Sequence, residues 1–268
     1  MIDLLWPRYV AAVTDQQLVD WYTHPVPNGP RVSFNFVSSL DGAATLNGRS
    51  GELGNAADRR IIKLLRRTAD IILIGAGTAR IEGYSGNLID PDDSQWRQDH
   101  GKSTQPALAV VSGGLSVDPG MPFFAAAAQR PLVITTAEAD PDRKRKLGEV
   151  ADVLVCGQRS LDVDVLIHEL GLRGFYRLHS EGGPHLLGTF QQAGRVDELC
   201  LSVSPVLVGW PGMRIAVSSA KNPEPSYMHL EHVLRSGDML FLRYLARQDS
   251  NTAENRAAPG VPSPSKGS

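Results

Sequence analysis

The segment SEGGPHLLG, residues 180–188, places Glu181, Gly182, Gly183 and Pro184 between a strand-like run and a helix-like one. Phe175 to His179 precede it, and Leu186, Leu187, Phe190 and Ala193 follow at helical spacing. The first turn of a helix carries amides without intrahelical acceptors and a partial positive charge, so it attracts phosphate. Glycine lets a phosphate reach that backbone, where a Cβ would stand in the way. Proline at the first helical position costs nothing, because its missing N–H has no helical acceptor to satisfy. Gly182, Gly183 and the following His185 therefore read as one half of a pyrophosphate cradle. The competing reading is a tight turn in which glycine serves packing alone. A second such turn, LIGAGTAR at 73–80, ends an apolar strand with Gly75, Ala76, Gly77 and Thr78. It lacks the third glycine of the G-x-G-x-x-G dinucleotide fingerprint. Two such turns in one body favour a split dinucleotide site.

Both turns need a scaffold that brings strand ends together. Residues 32–37 read as a strand, and 55–67 as a helix with Asn55 as N-cap and Ile61, Ile62, Leu64 and Leu65 inward. The run DIILIGAGT, 70–78, reads as a strand covered on both faces. Further strands are expected at 107–112, 131–136, 152–157 and 174–180, and helices at 161–170 and 184–193. Residues 197–209, 226–235 and 238–246 instead alternate apolar with polar, and Ser236-Gly237-Asp238 joins the last two as a hairpin turn. The pattern predicts an α/β fold: a central mixed, mostly parallel sheet flanked by helices, with a C-terminal antiparallel hairpin. Ligands in such sheets bind beyond the carboxyl ends of the strands, where both glycine turns fall. We divide the chain into an N-terminal extension (1–28), one body (29–247) and a disordered tail (248–268) poor in large apolar residues. The polar stretch 85–106 has no core pattern and is expected to form a mobile flap over the substrate.

The 268 residues are 42% hydrophobic and 21% charged with a formal net charge of -2, ordinary globular values. The one basic block, Arg143 to Lys146, suits the solvated face of a short helix better than a nucleic-acid patch. Asp3 and Pro7 interrupt what could otherwise resemble a signal peptide, and no run approaches the roughly 18–20 apolar residues of a membrane helix. Cys156 and Cys200 both lie in apolar runs and are expected to be buried free thiols, with no metal site. Nucleic acid and membranes are not expected partners, and a cytoplasmic location is.

Three segments in order, FNFVSSLDGAA (34–44), ILIGAGTAR (72–80) and SEGGPHLLGTFQQAGRVDELCLSVSPVLVG (180–209), resemble the reductase domain of riboflavin biosynthesis, the RibD C-terminal family. The resemblance implies a dihydrofolate reductase-like fold, NADPH as hydride donor, a ribosylated pyrimidine substrate and a homodimer. The zinc deaminase often fused to this reductase carries H-x-E and P-C-x-x-C ligands. His229-Leu-Glu231 is the nearest match here, and no P-C-x-x-C exists, so a free-standing reductase is expected. Two departures matter. Asn35 stands where the family commonly has lysine, and Ile81-Glu82-Gly83-Tyr84 replaces its Ala-Asp-Asp-Pro. They keep a pterin such as dihydrofolate open as an alternative substrate. A non-catalytic NADPH-binding sensor is the alternative from another class.

Hydride transfer to a C=N carbon is easier when the nitrogen is protonated, which gives a carboxylate near it a role. Asp41, in the SLDG turn with Ser39, either contacts substrate or only shapes the turn. Asp58 lies in the first helical turn, where dihydrofolate reductases bind the pterin through an acid; its alternative is capping beside Asn55. Glu82 keeps the charge of the family's first aspartate with a longer reach. Catalysis is thus assigned to Asp58, Glu82 and Asp41, and substrate binding to Asn35, Ser39 and Glu181, the last either facing the cleft or capping its helix. Gly75, Ala76, Gly77 and Thr78 are assigned to the nicotinamide half of the cofactor, and Gly182, Gly183 and His185 to its pyrophosphate. Ser112 and Thr135, at strand ends on the adenosine side, are assigned to the ribose 2′-phosphate.

Overall fold

The computed structural model describes residues 1–23, 29–84, 87–209, 212–218 and 224–247. The tail expected to be disordered, 248–268, lies outside them. In chain order the first half contains β1 (Asp3–Trp6), α1 (Asp15–Tyr22), β2 (Arg31–Ser38), α2 (Ala56–Thr68), β3 (Ile71–Gly75), α3 (Ala76–Glu82), α4 (Pro91–Asp99) and β4 (Ala107–Val111). The second half contains α5 (Pro122–Ala125), β5 (Leu132–Thr135), α6 (Pro141–Gly148), β6 (Asp152–Val155), α7 (Val163–Leu172), β7 (Arg177–Ser180), α8 (Pro184–Gln192), β8 (Glu198–Val203), β9 (Met228–Ser236) and β10 (Met239–Ala246).

The ten strands form one sheet in the order β1-β9-β10-β8-β2-β7-β3-β4-β5-β6. Pairing is parallel from β8 through β2, β7, β3, β4 and β5 to β6. It is antiparallel from β8 through β10 and β9 to β1. This is the mixed, mostly parallel α/β sheet with a C-terminal hairpin that the pattern predicts. β3 is apolar throughout because helices cover both of its faces. Ile71 and Leu73 join Val32, Phe34, Leu178, Leu186 and Phe190 on one side. Ile72 and Ile74 join Leu108, Val110, Phe123 and Leu147 on the other. A third cluster, with Leu18, Ile61, Leu64, Leu65 and Phe241, lies between α1, α2 and the antiparallel strands.

The N-terminal segment is integrated with this body. β1 extends the sheet edge through β9, and Leu18, Val19 and Tyr22 of α1 enter the third cluster. Several element boundaries differ from expectation, three of them at strands beside the cleft or the antiparallel edge. The strand read over 70–78 ends at Gly75, and Ala76 opens α3, which Gly83 closes at φ +68. The strand read over 197–209 ends at Val203. The strand read over 174–180 begins at Arg177.

The stretch 85–106, read as having no core pattern, is corrected in one respect: its middle is a docked helix, α4. The docking is polar, so no hydrophobic period announces it. Arg97 is fully buried and donates to Arg67 O at 3.0 Å, Ala69 O at 2.5 Å and Ser103 O at 2.6 Å, satisfying carbonyls at the end of α2. Gln105 accepts from the amides of Leu88 and Ile89 and donates to Ile89 O. Arg67 and Lys63 of α2 pair with Asp93 and Asp90. Among the described residues no helix is long and apolar enough to cross a membrane, and both cysteines are free and buried.

Candidate active site

A cleft of about 840 Å³ opens beyond the carboxyl ends of β2, β3 and β7. α2 supplies one wall through Asp58, Ile62 and Arg66, spaced four residues apart and so on one helical face. β2 contributes Asn35, and α3 and its end contribute Gly77, Thr78, Glu82 and Tyr84. β7 and α8 contribute Glu181, Gly182, Gly183 and His185. The cleft continues toward Val111, Gly113 and Leu161.

The two glycine turns meet each other. Gly75 N–H donates to Gly182 O at 3.0 Å, and a Cβ on Gly75 would lie 3.3 Å from Gly183 Cα. Gly182 and Gly183 adopt φ +113 and +100, where other residues are strained. Packing therefore explains Gly75 and Gly183, and Gly75's amide is removed from the set of phosphate donors. Gly77 differs, since a Cβ there would meet nothing within 4 Å. Ala76, Gly77 and Thr78 open α3, and Pro184 and His185 open α8 behind Gly183. First-turn amides of two helices thus face one cleft, a fit for the diphosphate of a dinucleotide.

The acids fall into distinct environments. Asp58 is buried, and its Oδ1 accepts from the Ser202 hydroxyl at 2.6 Å. Asn55 alone caps α2, accepting from Ala57 N–H and Asp58 N–H, so the Asp58 carboxyl is not spent on the helix end. Burial pushes that carboxyl above the usual aspartate value, against the opposing pull of Ser202. Glu181 is neither a helix cap nor an isolated acid. Arg66 binds it with both Nε–Oε1 and Nη2–Oε2 at 2.6 Å, and the Tyr84 hydroxyl donates to Oε2 at 2.8 Å. Burial opposes the charge on Glu181, but Arg66 outweighs it and holds the carboxyl below the ordinary range. Glu82 lines the cleft and accepts from both the amide and hydroxyl of Ser50, at 3.0 and 2.8 Å, tying the 46–51 turn to α3.

Several assigned residues lie elsewhere. Asp41 is exposed and ties two loops: it accepts from the Ser39 hydroxyl at 2.5 Å and from Val208 and Gly209 amides at 3.1 and 2.7 Å. Those bonds, Ser39's first, lower its carboxyl to about 2. Ser39 also accepts from Ala43 N–H, so its hydroxyl belongs to the turn. Ser112 accepts from Ser116 N–H and Thr135 donates to Gly113 O; both are buried and their hydroxyls are committed to turns. Asp41, Ser39, Ala76, Ser112 and Thr135 are absent from the cleft lining among the described residues, and Ala76 instead packs against the cluster of Ile72, Ile74 and Leu108. Arg66, Tyr84 and Ser202 escaped sequence reasoning. The i, i+4, i+8 spacing from Asp58 through Ile62 would have found Arg66; no local signal marks the other two.

The chain matches the RibD C-terminal domain family over residues 30–241. It is 31% identical, over 70% of its length and 83% of the relative's, to the 2,5-diamino-6-ribosylamino-4(3H)-pyrimidinone 5′-phosphate reductase of Methanothermobacter thermautotrophicus. It is 28% identical to the protein of the same name in Archaeoglobus fulgidus, over 67% and 82% of the two chains. Its fold is similar to that of a pyrimidine reductase-like protein of Corynebacterium diphtheriae, at TM-score 0.77 and 27% identity, covering 88% of this chain and 100% of the other.

Proposed function

Because the chain belongs to the RibD C-terminal domain family, we propose that it is an NADPH-dependent reductase of a ribosylaminopyrimidine 5′-phosphate, the activity for which its archaeal relatives are named. The observation that carries this reading is the convergence of the GAGT turn, the EGGP turn and buried Asp58 on one cleft. The nicotinamide, when bound, supplies the hydride for a C=N-type carbon. In this reading the amides of Gly77 and Thr78 and the Gly182–Gly183 turn hold the diphosphate, with His185 beside it. Asp58, kept protonated more readily than an exposed acid, donates a hydrogen bond or proton at the substrate nitrogen. Glu181, held anionic by Arg66, accepts from substrate and does not serve as the acid. Asn35 and Glu82 border the pyrimidine. Residues 29–247 form the reductase body in this proposal, acting in the cytoplasm as a homodimer.

Asp58 also favours a second reading, reduction of a pterin, since a carboxyl at the start of this helix suits the amino-substituted edge of a pteridine. Purified protein mixed with NADPH and either the pyrimidine phosphate or dihydrofolate, followed by loss of nicotinamide absorbance, separates the two. Tight NADPH binding with oxidation by neither substrate would identify a binding protein instead.

A further inference from the structure

Glu181 is held from two sides, and the two are not equivalent. Each carboxylate oxygen can accept two hydrogen bonds. Oε2 accepts from Arg66 Nη2 and from Tyr84, whereas Oε1 accepts from Arg66 Nε alone among the described residues. The third donor nitrogen of Arg66, Nη1, is engaged elsewhere, on Leu88 O at 3.2 Å. Tyr84 reaches Glu181 because Gly83, at φ +68, ends α3 and turns the chain back to the cleft. The Tyr84 side chain is also part of the cleft wall, and the Arg66 guanidinium lies 5.8 Å from its ring centroid. It stands outside the catalytic set assigned above.

We propose that Tyr84 is a positioning residue that occupies one acceptor position of Glu181, leaving Oε1 to receive a single N–H or O–H from the substrate. A hydroxyl or an exocyclic amine meets that requirement. A flat edge with two parallel donors does not, because it needs an open position on each oxygen. The inference rests on the reductase reading of this cleft. Arg66 from α2, His179 from β7 and Tyr84 itself are the charged or titratable groups that act on Glu181, and Glu82 acts on Tyr84.

The test is Tyr84→Phe, which keeps the ring and removes the hydroxyl, with unfolding temperature checked alongside. The expected result is a KM for the pyrimidine phosphate raised about tenfold, with kcat little changed, because Glu181 loses the bond that fixes which of its oxygens meets the substrate. NADP+ affinity by titration calorimetry stays at the wild-type value. The acid limb of kcat/KM moves to higher pH, because a bond favouring the charged carboxylate has gone; a merely structural loss would lower the unfolding temperature without moving that limb. Unchanged KM and acid limb in an active protein would overturn the role of Tyr84 and leave the reductase reading standing. Wild-type protein that oxidises no NADPH with the pyrimidine would overturn both.

Discussion

The amide of Gly75 donates to the carbonyl of Gly182 at 3.0 Å, which makes the two glycine turns one backbone seam across β3 and β7. The seam separates glycines needed for packing from a glycine needed for space. Gly183→Ala would add a Cβ at φ +100 and 3.3 Å from Gly75 Cα, a strain of about 1–3 kcal/mol. A fall in unfolding temperature is expected. Gly77→Ala meets open space and sits in a helix that prefers alanine, so its unfolding temperature should hold or rise. Its NADP+ dissociation constant should nonetheless increase about tenfold or more, a loss of about 1.4 kcal/mol. Calorimetric titration of both variants checks this, and wild-type affinity in Gly77→Ala would mean that the turn serves packing only.

Asp58 carries a stability cost through burial of its carboxyl. Its folded carboxyl titrates above the unfolded value of 3.8, so the folded state binds more protons in between and stability falls as pH rises through that window. Asp58→Asn removes the effect. The variant should match wild type at low pH and exceed it in unfolding temperature near neutrality, while its turnover falls by at least about a hundredfold if Asp58 is the acid. Melting curves across pH, paired with rates at saturating substrate, test both halves. A variant less stable than wild type at neutral pH would show that the Ser202 bond outweighs desolvation.

The sheet and its polarity were legible because their signals are periodic. Continuous apolar runs marked the strands covered on both faces, and alternation marked β8, β9 and β10. Asn55 marked the start of α2 as a side-chain cap. The lining of the candidate cleft was legible where backbone geometry demands glycine, at Gly182 and Gly183, and where an acid sits at a helix start, at Asp58. It was illegible where partners are distant in sequence: Glu181 and Arg66 are separated by 115 positions, and Ser202 and Asp58 by 144. Ser112 and Thr135 misled because a strand-end hydroxyl satisfies a neighbouring loop as readily as a ligand.

Asp41 joins the SLDG turn to the loop after β8 and stands apart from the cleft. Its carboxyl is lowered to about 2 from 3.8, so its stabilising contribution is present in full above the unfolded value and is lost as pH falls through the folded one. Asp41→Asn should therefore melt below wild type at neutral pH, with the gap closing in acid. NADP+ affinity should remain within about twofold, less than 0.5 kcal/mol. A larger loss of cofactor affinity would mean that the loop it holds reaches the ligand.

Arg97 decides whether the 91–105 segment is a docked element or a loose one. Among the described residues its guanidinium has no carboxylate within bonding distance; it is held by backbone carbonyls of Arg67, Ala69 and Ser103. Burial, against the opposing pull of Asp70, lowers it to about 10, still protonated at neutral pH. Arg97→Ala leaves the Arg67 and Ala69 carbonyls at the end of α2 without donors, each costing about 1–3 kcal/mol if water does not enter. The loss should fall first on the contact between α4 and α2, since Asp93 and Arg67 meet there. Limited proteolysis distinguishes this local release from global unfolding. Wild-type protein should resist cleavage within 91–105 whether or not NADPH is present, and Arg97→Ala should be cut there while the sheet core stays protected. Ligand-dependent protection of the wild-type segment would restore the flap.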